Sequence, residues 1–242
     1  GLKVFGIESD EVPLVQFNLI IDGGQRVERM DKLGVANLTA DLLEKGTKNK
    51  TVSELEDALA QLGASGSISA GKESIMVSGT TLAKNYNATK GLDKKMLLEP
   101  RWEETEFELL KKRAISNLRQ QEASPRSVAQ NAYNELIYGK DNIRSKNVLG
   151  SIASVNSITI DDLKSYYDNY ISPSVAKMHV VGDISKDVVL ESIKDLSQNW
   201  AAKEGAFSYD QIWFAADFSG NGKTELAKII LNEPSIGIDV YT

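Results

Sequence analysis

The chain has 242 residues, 41% hydrophobic and 26% charged, with a formal net charge of -6 and no cysteine. That is the composition of a globular protein with a sizeable core, and its acidic balance excludes a protein whose main partner is a phosphate backbone. Disulfides, thiolate metal sites and cysteine nucleophiles are excluded as well.

A chain without cysteine fits the periplasm or the outside of the cell, so a periplasmic or secreted location is expected. No apolar run approaches the ~20 residues that span a bilayer. The sequence opens directly into a strand pattern at Leu2. It therefore reads as an excised fragment, with any export signal expected upstream.

Two strand patterns come first, Leu2 to Ile7 and Val12 to Ile21. In the second, Val15, Phe17, Leu19 and Ile21 share one face, while Gln16 and Asn18 point the other way. A helix is predicted from Val35 to Glu44, with Val35, Leu38 and Leu42 at helical spacing and Gly46 as its stop. Thr51 and Glu54 have capping-box spacing and start the next helix, which ends at Gly63.

Ser65 to Ala70 and Glu73 to Thr80 read as a hairpin turning at Gly71 and Lys72. A polar helix over Ala83 to Leu97 follows. Beyond Pro100, Phe107, Leu110, Ala114 and Leu118 give a longer helix with an apolar stripe. Pro125 opens another helix, through Tyr138, and Gly139 to Gly150 is a polar loop. Thr159 and Asp162 cap a helix that carries Leu163, Tyr166 and Tyr170. Val175 to Val181 is an apolar strand, and Val189, Ile193 and Leu196 mark the next helix. This order predicts an α+β fold, a mixed or antiparallel sheet covered by helices, over residues 1–200. Residues 201–242 read as a linker or tail, with strand patterns at Ile212 to Phe218 and Ile229 to Leu231 around an Asn221-Gly222 turn.

Several short motifs favour the blander reading. Lys111, Lys112 and Arg113 read as a solvated helix face. Gly220 to Thr224 has part of a phosphate-loop pattern, but Asp217 stands where that loop needs glycine, so a β-turn is expected. Asn37, Asp41 and Glu44 share a helix face, yet three oxygens on one helix make a poor calcium site; solvated or capping carboxylates are expected. Tyr133, Tyr138, Tyr166, Tyr167 and Tyr170 read as core and interface residues. The single histidine, His179, lies in a strand pattern, where a hydrogen-bonded structural histidine is expected. With that one imidazole, the many serines have no base and orienter set.

The segment Gly34 to Thr47, GVANLTADLLEKGT, resembles the zinc helix and following Lys-Gly-Thr turn of the pitrilysin/insulinase family of metallopeptidases. The surroundings agree with that resemblance: Gly23-Gly24 with Glu28 beyond, Thr51 to Leu55, Leu62 to Ala64, Tyr138-Gly139, Gly150 to Ile152, Ile158 to Pro173, and Val180 to Asp183. It implies a pitrilysin/mitochondrial-processing-peptidase-like sandwich over roughly residues 1 to 200.

The family's chemistry needs two imidazoles one helical turn apart, a glutamate between them as general base, and a downstream glutamate as third ligand. Carried over, the two histidines fall on Asn37 and Asp41, the base on Ala40 and the third ligand near Asn117. The resemblance therefore implies a degenerate, non-catalytic repeat, most similar to the first repeat of the C-terminal half of a long bacterial member. No catalytic residue, metal or cofactor is expected in this chain, and zinc is expected in a catalytic repeat of the parent protein. The implied partners are sister repeats or a catalytic subunit, and peptide substrates, with no nucleic acid. The strand over Glu73 to Thr80 is expected to offer an edge to an extended peptide. The alternative is a free-standing structural protein of the same fold. An excised domain should also self-associate, with Ile212, Trp213, Phe214 and Phe218 of the tail taking part.

Overall fold

Alternating apolar residues in β2 (Leu14–Asp22) define the face on which the molecule is built: Val15, Phe17, Leu19 and Ile21 are all buried. A computed structural model describes residues 2–202 and the backbone of three later strands. Around β2 lie β1 (Lys3–Glu8), β3 (Ser65–Ala70), β4 (Ser74–Leu82) and β5 (Ala176–Gly182). They form one sheet in the order β1-β5-β2-β4-β3. β1 and β5 are parallel, and every other neighbouring pair is antiparallel. β5, the last of these strands in the sequence, thus enters between the first two.

Register follows from the buried face. Phe17 stands opposite Gly79, and Leu19 opposite both Val77 and Met178. A Cβ on Gly79 would lie 2.2 Å from the Phe17 ring, so only glycine lets that ring cover β4. The ring then meets Tyr86 edge-on at 6.1 Å.

Eight helices are described: α1 (Val35–Leu43), α2 (Val52–Gln61), α3 (Tyr86–Leu98), α4 (Glu104–Glu122), α5 (Pro125–Tyr138), α6 (Ile152–Ser157), α7 (Ile160–Tyr170) and α8 (Lys186–Asn199). Capping boxes start α2 at Thr51/Glu54 and α7 at Thr159/Asp162, and Pro125 opens α5 from its first turn. Tyr86, Met96 and Leu97 of α3 and Val189, Ile193 and Leu196 of α8 join the inward residues of the sheet in one core. The other face of the sheet carries Gln16, Ser65, Ser67, Ser69, Phe5 and His179, all exposed. Burial on one side and polarity on the other is what an antiparallel sheet with a single helical layer requires.

Three features differ from the sequence reading. α6 is a separate short helix, started by a Ser151/Ser154 capping box; its serine-rich pattern carries too little periodicity to reveal it. β4 is bonded on both sides, by β2 and β3, so the strand read as an edge is interior and the edge belongs to β3. Beyond residue 206 a second compact unit holds β6 (Ile212–Ala216), β7 (Glu225–Ile230) and β8 (Gly237–Tyr241), in the order β6-β7-β8. The third of these strands was not expected. The Asn221-Gly222 turn, the Gly220 to Thr224 motif and Phe218 lie outside the described residues, as do the side chains of Ile212, Trp213 and Phe214.

Candidate functional site

α1 is the most enclosed helix of the fold, packed against α4, α7 and β3. Seven of its residues are buried, among them Leu38, Ala40, Leu42 and Leu43. Its N-terminus is held by a side chain from outside the helix. Glu28 is buried and accepts hydrogen bonds from the Gly34 amide (3.0 Å) and the Ala36 amide (2.7 Å). These are amides that a helix start leaves without partners, and a carboxylate suits the positive end of the helix dipole. Burial nevertheless pushes the Glu28 pKa up to about 7, against the pull of the two amides.

Gly34 permits this entry. It lies at φ 99°, and a Cβ there would meet the Leu149 carbonyl oxygen at 2.6 Å. Further ties fix the approach to α1: Ser154 Oγ donates to the Leu33 carbonyl at 2.8 Å, Tyr166 Oη to the Gly24 carbonyl at 2.9 Å, and Lys32 pairs with Asp162 at 2.8 Å.

On this helix the structure brings Asn37 and Asp41 together, one turn apart. Asn37 Nδ2 donates to Asp41 Oδ2 at 3.0 Å. Burial raises the Asp41 pKa, while the charge of Lys45, the Asn37 hydrogen bond and the charge of Arg113 oppose it. Ala40 is completely buried. Asn117 lies on an exposed part of α4, with no hydrogen bond or ion pair to the Asn37–Asp41 pair. Among the described residues, no three His, Cys, Asp or Glu side chains form a group that could hold a metal ion.

Glu44, the C-cap residue of α1, does something the sequence did not reveal. Its Oε1 accepts a hydrogen bond from the Ile68 amide of β3. Burial, the largest influence, raises its pKa; the Ile68 hydrogen bond and Lys45 oppose that shift, and Asp41 adds to it. Glu44 is thus a capping carboxylate, but for a strand and not for its own helix.

His179 is exposed, and its ring stacks on Phe5 of β1 with centroids 5.2 Å apart. The expected hydrogen-bonded histidine is therefore corrected to one held by aromatic contact, because the parallel pairing of β1 and β5 sets it opposite Phe5. Lys111 is not simply solvated. It donates to the Asn156 and Ile158 carbonyls at the end of α6, at 3.3 and 2.9 Å, and its ammonium lies over the Phe107 ring. Lys112 and Arg113 are exposed.

A second polar cluster lies between α3 and α8. Lys90 Nζ donates to Ser192 Oγ at 2.7 Å, and burial lowers the Lys90 pKa to about 8. Ser192 Oγ in turn donates to the Val189 carbonyl at 2.7 Å, in the middle of α8. Tyr86 Oη lies 3.2 Å from the same serine oxygen, so Ser192 joins α3 to α8 through Tyr86 and Lys90 while its own proton is held by a helix carbonyl. Asp93 is buried beside a cavity of about 30 Å³, and neither carboxyl oxygen has a hydrogen-bond partner. Burial pushes its pKa up to about 7, so it takes a proton near neutrality. A legible signal existed here: Tyr86, Lys90, Asp93 and Leu97 recur at helical spacing, placing two charged residues on an apolar stripe.

Residues 4–147 match the model of "Insulinase (Peptidase family M16)", and residues 157–236 that of "Peptidase M16 inactive domain". The uncharacterized zinc protease YmxG of Bacillus subtilis is 20% identical over 96% of this chain and 56% of its own length. The probable mitochondrial-processing peptidase subunit beta of Arabidopsis thaliana is 22% identical over 81% of this chain and 37% of its own. An M16 inactive domain from Pseudomonas fluorescens superposes with a TM-score of 0.79 at 21% identity, over 87% of this chain and 52% of that one. For the periplasmic protease PqqL of Escherichia coli the TM-score is 0.77 at 17% identity, over 87% and 24% of the two chains. The chain thus spans about half, or less, of the length of the curated relatives it matches.

Proposed function

Because this chain belongs to the insulinase family of peptidases (family M16), we propose that it is a non-catalytic domain of a zinc peptidase, one that helps wall a chamber holding peptide substrates. The observation that carries the reading is the content of α1. Where a zinc helix needs two imidazoles and a general base, this helix has Asn37 hydrogen-bonded to Asp41 and a buried Ala40. An amide nitrogen is no zinc ligand, a methyl group takes no proton, and one carboxylate already engaged by its neighbour cannot replace three ligands. These residues do not fit zinc. The metal and the hydrolysis then belong to a catalytic repeat of the parent protein, and the match to an inactive-domain model supports that division.

Two surfaces suit the role. The open sheet face, with exposed Ser65, Ser67 and Ser69 on β3 and Gln16 on β2, can line a wet chamber, and the side of β3 away from β4 can take up an extended peptide by strand addition. α5 has no buried residue and exposes Val128, Tyr133, Leu136 and Ile137, an apolar surface suited to a sister repeat. A periplasmic location belongs to the same proposal, supported by the absence of cysteine and by the description of PqqL as periplasmic.

Titration calorimetry with zinc at neutral pH, run with a peptide-cleavage assay, tests the reading. The expected result is no stoichiometric zinc binding at micromolar affinity and no cleavage of unfolded peptides. A stoichiometric micromolar site, or metal-dependent cleavage by this chain alone, would sink it.

A further inference from the structure

An exposed strand edge is a template for any passing strand, and proteins that keep one usually blunt it. β3 is the terminal strand on its side of the sheet and pairs only with β4. The Ile68 amide points away from β4, since it donates to Glu44 on α1. Because backbone groups alternate sides along a strand, the outward set comprises the peptide groups of Gly66, Ile68 and Ala70. A strand added to this edge must place one of its carbonyls on the Ile68 amide, at the middle of that set. The Glu44 carboxylate already occupies that place.

We propose that Glu44 is a built-in gate on the β3 edge, a side-chain carboxylate standing in for the carbonyl of an extended peptide and closing this edge to strand addition until it is displaced. The proposal rests on the reading of β3 as a peptide-accepting edge and adds its regulation. The carboxylate is half-buried, and α1, which carries it, is enclosed on several sides, so the gate sits on a rigid support. A hydrogen bond to an ionised acceptor is stronger than one to a neutral carbonyl, so an incoming peptide exchanges a better bond for a weaker one at this position. The expected occupant is an extended polypeptide without proline, because its recognition is by backbone groups. Small side chains at Gly66, Ser67 and Ala70 leave that edge uncrowded.

The experiment uses the whole chain and a fluorescent extended peptide of about ten residues, long enough to match a strand. Its control is the same peptide N-methylated at alternate residues, which removes its ladder donors. Glu44→Ala should bind the unmodified peptide roughly ten- to a hundredfold tighter than the natural chain, as expected for release of a charge-assisted hydrogen bond. Glu44→Gln, which keeps the shape and a neutral acceptor, should fall between. Hydrogen exchange at the Ile68 amide reports the gate without any peptide: it should speed up in Glu44→Ala while the amides of α1 stay protected. Equal peptide affinity in all three proteins, with methylation still abolishing binding, overturns the gate and leaves strand addition standing. No binding by any of them, with Ile68 exchange accelerated as expected, overturns strand addition at β3 and the gating role with it. Unchanged Ile68 exchange in Glu44→Ala overturns the gate directly.

Discussion

α1 and α5 are both helices that the sequence predicts, and the fold treats them in opposite ways. α1 is packed on three sides and hung from the buried Glu28, with Leu38, Ala40 and Leu43 fully or almost fully buried. α5 touches α4 and the turn at Ile143–Ser145 and leaves Leu136 86% exposed. A helix at the centre of a core cannot be moved without disturbing every neighbour, because interiors are close-packed. α5 carries no such constraint, and its apolar side chains Val128, Leu136 and Ile137 are exposed.

The strongest way to break this comparison is Leu43→Ala. Leu43 is 0% exposed, and removing its side chain from a filled site should cost about 2–5 kcal/mol in chemical denaturation. A loss under about 1 kcal/mol would show that α1 is less firmly held than its burial implies.

A pH titration sharpens it. The folded pKa of Glu28, about 7, lies above its ordinary value of 4.5. Between those values the unfolded chain releases the proton while the folded chain keeps it, so stability is greatest below the lower pKa and falls as pH rises towards 7. The loss is about 3 kcal/mol for this group. Buried Asp93 adds a contribution of the same sign. Glu28→Gln should flatten its share of the slope between pH 4.5 and 7; an unchanged slope would show that the anchor of α1 does not titrate there.

The smallest expected effect is at α5. Leu136→Ala should change the stability of the isolated chain by no more than about 0.5 kcal/mol, since the side chain is already in water. It should, however, weaken self-association seen in sedimentation equilibrium, or association with a sister repeat. A large stability loss would mean that α5 is part of the core after all.

The division between what was legible and what was not follows the range of each signal. Elements were readable because their causes are local. Thr51/Glu54 and Thr159/Asp162 set helix starts within four residues, and Val15, Phe17, Leu19 and Ile21 reveal a buried face by alternation. The Asn37, Ala40 and Asp41 positions of the candidate site could be placed on one helix in the same way. The Asn37–Asp41 hydrogen bond follows from their spacing of one turn.

Tertiary structure alone decided the partners. No local pattern states that β5 enters between β1 and β2, that β4 is interior, or that β3 keeps the open edge, because strand order is a relation between segments far apart in the sequence. The same holds for Glu44 meeting Ile68, His179 stacking on Phe5 and Asp93 losing its water. Periodicity tells which side of an element is apolar, but the identity of what lies against that side is fixed only when the whole core closes.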